Sequence, residues 1–171
     1  IPIGDRYVPV SEKSKIFDTF SLDIMMCQFC GHYQNSGFVN LELTYAHYLS
    51  RPATINPVLS DAYKGYVSNL LRYTKKSELF AIKVGSNDGA FISYMQEKGL
   101  KVLGVEPSPN LSKQANDNDI PTLHDYFSLE NAIMIKNGHG EADFFIANHT
   151  FSNIIDLDDF VSGVKHLLAK N

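Results

Sequence analysis

The sequence predicts an α/β fold: about four mainly parallel strands with helices, preceded by a small irregular module that carries a C-x-x-C motif. From Leu79 onward, short apolar runs alternate with segments of helical character, which is typical of right-handed βαβ units. Nearer the amino terminus, prolines, glycines and the pair Cys27 and Cys30 follow one another at short range. We therefore expect two domains, a small module at 1–50 and an α/β domain at 51–171.

The individual elements follow from local periodicity. Apolar residues recur at helical spacing after Pro57 and predict a helix over 58–74. Pro52 and Pro57 interrupt the stretch before this helix, so the hinge between the two domains is expected at 50–57. The remaining pattern predicts strands at 79–85, 101–107 and 141–148, helices at 90–99, 108–119 and 156–170, and a short extended piece at 120–127.

Composition narrows the class of partner. The 171 residues are 44% hydrophobic and 20% charged, as in an ordinary globular protein, and no apolar run approaches the roughly 20 residues that cross a bilayer, so no membrane partner is expected. A net charge of −4 leaves no general attraction for phosphate backbones, which argues against nucleic acid. The absence of a signal-like start and the sparse cysteines favour a cytoplasmic location.

The strongest candidate for a binding element is the turn G-S-N-D-G at 85–89, between a predicted strand and a predicted helix. In βαβ folds the ligand lies outside the carboxyl ends of the strands, where glycine lets the backbone approach closely. Glu106 ends the next strand, and a carboxylate there can accept hydrogen bonds from both ribose hydroxyls. The spacing is not G-x-G-x-x-G, so an adenosine without phosphates fits better. The alternative is a tight turn and a solvated acid with no ligand.

Three further residues complete the candidate site. Asp125 and Tyr126 follow the short extended piece, where a polar and an aromatic side chain can contact adenine. Asn148 ends the third strand and is expected to line the pocket. The candidate cofactor-binding residues are Gly85, Ser86, Asn87, Asp88, Gly89, Glu106, Asp125, Tyr126 and Asn148. The tyrosines at positions 45, 48, 63, 66 and 73 are attributed mainly to core packing.

The C-x-x-C pair makes Cys27 and Cys30 candidate metal ligands. A structural zinc ion takes four ligands, and this chain has one cysteine pair, with His32 and His47 as candidates to complete the set. Redox chemistry is a weaker alternative, since a thioredoxin-like motif needs its own βαβ context and this pair precedes the predicted sheet.

Several long segments, in order, resemble one family. The segments "CQFCG", "VGSNDGAF", "VLGVEPSPNLSKQANDNDIPTLHDYF" and "EADFFIANHTFSNIIDLDDFVSGVKHLL" are similar to the S-adenosylmethionine (SAM)-dependent C-methyltransferases of nucleotide-linked deoxysugars, over about residues 3–170. The resemblance implies a zinc-binding N-terminal module and a Rossmann-like methyltransferase domain. It implies SAM as cofactor, held by Gly85 to Gly89 and Glu106, and C-methylation of a dTDP-linked keto-deoxysugar after a base removes a proton.

The resemblance also implies what this chain contributes. The family's C-terminal catalytic segment has no counterpart within it, so the cofactor-binding portion is expected and no catalytic residue is assigned. Lys83 stands where the family has glutamate, and Asn153 where it has histidine. These differences support a second hypothesis, a non-catalytic interaction or regulatory protein with a degenerate methyltransferase fold. The last predicted strand would form an open sheet edge, which favours a homo-oligomer through that edge.

Overall fold

The computed structural model describes residues 10–12, 20–37, 40–45 and 56–170, and the chain divides into two compact units, Ile1–Leu49 and Ser50–Asn171. The first unit contains β1 (Ile24–Met26), β2 (Tyr33–Asn35) and α1 (Leu41–Tyr45). The second contains α2 (Pro57–Leu70), β3 (Phe80–Val84), α3 (Ala90–Glu97), β4 (Lys101–Val105), α4 (Pro109–Asp117), β5 (Thr122–Leu123), α5 (Leu129–His139), β6 (Phe144–Ile146) and α6 (Leu157–Leu167).

The first unit is built around a short antiparallel hairpin. Strands β1 and β2 pair with Met26 opposite Tyr33, and the connection between them carries both cysteines. The N–H of Cys27 donates to the carbonyl of His32, and the N–H of Gly31 donates to the carbonyl of Cys27, both at 2.8 Å. These two bonds close a compact turn that holds the C-x-x-C segment.

The second unit contains one parallel sheet with strand order β5-β4-β3-β6. The central strand β3 is buried on both faces, as expected for a parallel sheet covered by helices, and its residues are apolar except for Lys83. Ala81 packs on one face in a cluster with residues of α2 and α3, whereas Ile82 packs on the other with residues of α5 and α6. The expected α/β fold with about four mainly parallel strands is confirmed.

The strand order places a crevice at one point of the sheet. The chain proceeds outward from β3 through β4 to β5, and it then returns to add β6 on the opposite side of β3. Connections therefore leave the carboxyl ends of β3 and β6 toward opposite faces. In open α/β sheets this switch point is where a ligand has room to bind.

The long helix α5 was not predicted. The sequence analysis assigns no element between 128 and 140, and the structure shows α5 there, with Ser128 as N-cap accepting from the N–H of Asn131 at 3.2 Å. Four apolar residues in a row, at 132–135, obscure the helical period, because Ala132 and Ile135 are buried whereas Ile133 and Met134 are exposed. Helix α6 is capped by Asp156, which accepts from the N–H of Asp159 at 2.9 Å.

Among the described residues, the chain has a partner on the outer side of the sheet only just before β6. Ala142 bridges to Leu168 in parallel, accepting from the N–H of Ala169 and donating to the carbonyl of Leu167, both at 2.9 Å. Among the described residues, no strand pairs with Phe144–Ile146 on the side away from β3. The edge expected from the sequence is thus open along β6 itself.

We expect Gly163→Ala to destabilise the protein by about 1–3 kcal/mol, because a methyl group there overpacks the contact between α6 and the residues that lead into α5. A Cβ at this position would lie 2.9 Å from the Phe127 ring and 3.1 Å from the backbone oxygen of Ser128. Urea unfolding measures the change. The matched control is Gly138→Ala in α5, where a Cβ meets nothing within 4 Å and helix propensity should add about 0.5–1 kcal/mol. Equal stability of the two variants would contradict this packing argument.

Candidate functional site

The parallel sheet brings every candidate cofactor-binding residue to its carboxyl edge. The turn 85–89 follows β3, and Glu106 follows β4. Asp125 and Tyr126 follow β5, and Asn148 follows β6. Residues that are far apart in sequence therefore share one edge, and this edge includes the switch point between β3 and β6.

The turn after β3 is held in a left-handed backbone conformation at three positions. The φ angles are 64° at Gly85, 57° at Asn87 and 81° at Gly89. Gly85 is required for a second reason, since a Cβ there would lie 2.3 Å from the hydroxyl oxygen of Thr150 in the segment after β6. The hydroxyl of Thr150 itself donates to the carbonyl of Val84 at 3.2 Å. The side chain of Thr150, in the segment after β6, therefore packs against the backbone at the start of the turn, at the switch point.

The polar side chains of the turn serve mainly to shape it. Asp88 accepts from the N–H of Ala90 at 3.1 Å, and Asn87 accepts from the N–H of Asp88 at 2.8 Å. The hydroxyl of Ser86 is buried and has no hydrogen-bond partner among the described residues. A ligand at this edge would consequently meet the backbone of Ser86 and not its hydroxyl.

Glu106 joins the turn after β3 to the start of the segment after β4. One carboxylate oxygen accepts from the N–H of Asn87 at 2.8 Å, and the other accepts from the N–H of Ser108 at 3.0 Å. Burial raises the pKa of Glu106, and the two N–H donors and the Lys83 charge oppose that rise. Each carboxylate oxygen can accept a second hydrogen bond, so the pair retains capacity for two hydroxyl donors.

The residues after β5 form a local network. Asp125 accepts from the side-chain amide of Asn131 at 3.0 Å and from the N–H of Tyr126 at 2.8 Å. His124 lies 3.0 Å, through its Nε2, from the carbonyl oxygen of Pro107. The ends of β4 and β5 are thereby tied together, with Asp125 and Tyr126 exposed beside them.

The end of β6 contacts a helix that sequence reasoning did not place in the site. The side-chain amide of Asn148 is 3.5 Å from the hydroxyl of Tyr66 in α2. Tyr63 and Tyr66 both pack edge-on against the Phe91 ring, with centroids 5.2 Å and 5.5 Å away. Core packing accounts for Tyr63, but Tyr66 is 43% exposed. A spacing of three in a helix was the available signal that the two tyrosines share a face.

Lys83 lies directly below the turn. Its side chain is 6% exposed, and its ammonium group donates to the carbonyl of Gly85 at 3.1 Å and lies 5.7 Å from the centre of the Phe91 ring. Burial lowers the pKa of Lys83 to about 8, and the nearby charge of Glu106 opposes that shift. A lysine with this pKa is mainly protonated at neutral pH.

The two cysteines lie together in the hairpin turn, and both are exposed. The backbone N–H groups of Cys30 and Phe29 lower the pKa of the Cys27 thiol. Within the described part of the chain, no group of three or more His, Cys, Asp or Glu side chains could hold a metal ion. His47, one of the candidates to complete a zinc site, lies outside the described residues. Zinc binding by Cys27 and Cys30 stays a prediction.

Known proteins are similar to this chain in sequence and in fold. The family model for the methyltransferase domain matches residues 82–171, more than half of the chain. The C-methyltransferase NovU of Streptomyces niveus is 26% identical over 150 residues, which cover 88% of this chain and 36% of NovU. The chain thus spans little more than a third of that relative's length.

Two solved structures agree in fold. The plantazolicin methyltransferase BpumL, solved with a pentazolic desmethylPZN analogue and SAH, has a TM-score of 0.52 and 15% identity, covering 67% of this chain and 44% of that one. A SAM-dependent methyltransferase from Archaeoglobus fulgidus has a TM-score of 0.50 and 15% identity, covering 64% of this chain and 48% of that one. These likenesses concern the fold alone.

The chain belongs to the methyltransferase-domain family. Its four parallel strands and flanking helices have the Rossmann-like architecture of these enzymes, which confirms the fold expected from the sequence resemblance.

Lys83→Met should reduce the change of the free energy of unfolding with pH in the alkaline range. The ordinary pKa is 10.5 and the folded-state pKa about 8, so between these values the unfolded chain binds more protons. The free energy of unfolding therefore rises with pH across this window, by on the order of 3 kcal/mol for Lys83 alone. Below pH 8 the buried charge of Lys83 destabilises the folded state by this full amount. We expect the variant to be more stable than the wild type at pH 7 in urea unfolding and to lose that advantage by pH 10.5. A difference in stability between the variant and the wild type that stays constant with pH would contradict the lowered pKa of Lys83.

Proposed function

We propose that this chain is the cofactor-binding portion of a SAM-dependent methyltransferase. The observation that carries the proposal is the buried carboxylate of Glu106 beside the turn 85–89, at the sheet's switch point. Membership of the methyltransferase-domain family supports the reaction class. SAM combines an adenosine with a methionine and has no phosphate, which suits a short glycine turn followed by an acid.

Each candidate residue has a role in this proposal. The backbone of Gly85 to Gly89, including Ser86, Asn87 and Asp88, contacts the methionine portion, and Glu106 accepts from the ribose hydroxyls. Asp125 and Tyr126 contact adenine, the first by a hydrogen bond to the amino group and the second by ring packing. Asn148 lines the cofactor pocket beside Tyr66, where its amide is held by the tyrosine hydroxyl.

We further propose that the methyl acceptor is a carbon of a nucleotide-linked keto-deoxysugar. Similarity to a protein named as a C-methyltransferase supports transfer to carbon. The sugar class is supported by the order of the long motifs in the sequence. A keto group acidifies the neighbouring C–H, so this reaction also needs a base, and the candidate residues described above supply none with that role.

The remaining proposals concern surroundings and assembly. No described helix is long and apolar enough to span a membrane. We propose a cytoplasmic location and a homo-oligomer that pairs through the open side of β6, where Phe144–Ile146 has no strand partner among the described residues.

Titration calorimetry with SAM and S-adenosylhomocysteine tests the cofactor proposal. We expect both ligands to bind the wild type and Glu106→Ala to weaken each by about 10–100-fold, since hydrogen bonds to a charged group contribute about 1.5–3 kcal/mol. The same substitution unpairs the N–H groups of Asn87 and Ser108, so circular dichroism must show that the variant is folded.

Glu141→Ala is the matched control, because that carboxylate lies outside the carboxyl edge and pairs with Lys136 at 2.9 Å. It should bind both ligands like the wild type. Absence of binding by the folded wild-type chain would reject the cofactor proposal and favour the non-catalytic interaction protein.

Sedimentation velocity tests the oligomer. Pairing of an open strand is a concentration-dependent association, so we expect a dimer to replace the monomer as the concentration rises through the micromolar range. A monomer at every concentration would reject pairing through β6.

A further inference from the structure

Lys83 is a buried cation that the proposed cofactor site does not use. It occupies the carboxyl half of β3, two residues before Gly85, and only 6% of it is exposed. Its ammonium group is fixed from two sides, by the carbonyl of Gly85 at 3.1 Å and by the face of Phe91 at 5.7 Å. The charge therefore lies at a defined place directly under the turn.

Within the described part of the chain, this charge is not neutralised by a direct ion pair. Glu106 is the acid that acts on Lys83, yet its two oxygens accept from the N–H groups of Asn87 and Ser108. None of the ion pairs within 4.0 Å in the described part of the chain includes Lys83. In a partly desolvated site, one unpaired unit charge acts over several ångströms on any charged ligand.

The two forms of the proposed cofactor differ in charge at the atom that reacts. The sulfur of SAM is a sulfonium cation. When its methyl group moves to a nucleophilic carbon, the electron pair of the breaking S–C bond stays on sulfur, and the product is a neutral thioether. Apart from the methyl group itself, the two molecules are the same, so a nearby fixed cation distinguishes them through the charge on sulfur.

We propose that Lys83 makes this pocket select its ligand by charge, favouring S-adenosylhomocysteine over SAM. The inference rests on the proposed cofactor function and adds a specificity-determining residue to it. The positive charge on sulfur decreases as the methyl group leaves, so the repulsion that weakens SAM binding is relieved along the reaction. The same repulsion is absent in the product, which is therefore retained.

The test is the ratio of the dissociation constants for SAM and S-adenosylhomocysteine, measured by calorimetry at pH 7 on the full chain. We expect Lys83→Met to lower this ratio by about tenfold, the effect of removing one unit charge at several ångströms. Lys83→Gln should give the same change, because it removes the charge and keeps a polar group. Lys83→Glu should lower the ratio further.

Lys101→Met is the matched control. Lys101 also lies over a phenylalanine, 5.0 Å from the centre of the Phe80 ring, and also donates to a backbone carbonyl, that of His139 at 3.1 Å. It begins β4, at the opposite edge of the sheet, so its removal should leave the ratio unchanged.

The outcomes separate the two proposals. If both ligands bind and the Lys83 variants weaken or strengthen them equally, selection by charge is wrong while the cofactor function stands. If the Lys101 variant shifts the ratio as much as the Lys83 variants, the effect is one of net charge and the inference is again wrong. If the folded wild type binds neither ligand, both the cofactor function and the inference fail.

Discussion

The carboxylate of Glu106 is the contact on which the carboxyl edge of the sheet depends. It accepts from the N–H of Asn87 in the turn after β3 and from the N–H of Ser108 at the start of α4. One side chain therefore sets the positions of two turns. Because it is buried, moving either turn away would leave a carboxylate oxygen without its partner, which is costly. A ligand that binds here meets turns whose conformation is already set.

Strand order explains why these turns surround a single place. Since β6 joins the sheet beside β3, the segment after it returns to the turn 85–89, where Thr150 contacts the backbone of Gly85. Helix α2 closes the same region from one face through Tyr66 and its contact with Asn148. This end of the sheet is thus built from elements separated by up to 82 residues, and tertiary structure brings them together.

Lys83 shows how a site can retain a feature that opposes stability. A buried ammonium weakens the folded state at neutral pH, yet it lies against the carbonyl of Gly85 in the turn of the proposed cofactor site. Residues that break a local rule are expected to concentrate at functional sites, where a gain in specificity offsets the loss. The exposed pair Asp125 and Tyr126 carries no comparable cost, since both residues lie at the surface.

The sequence by itself determined the alternation of strands and helices, the glycine turn and the acid that follows it, because these depend on local periodicity and on backbone angles that few residues adopt. It did not reveal α5, whose consecutive apolar residues hide the helical period, or the contact between Thr150 and Gly85. It also could not show that Glu106 holds two backbone N–H groups or that the lysine before the turn is buried. Tertiary structure decided these points, because hydrogen-bond partners and burial depend on which strands become neighbours, and local sequence does not encode that order.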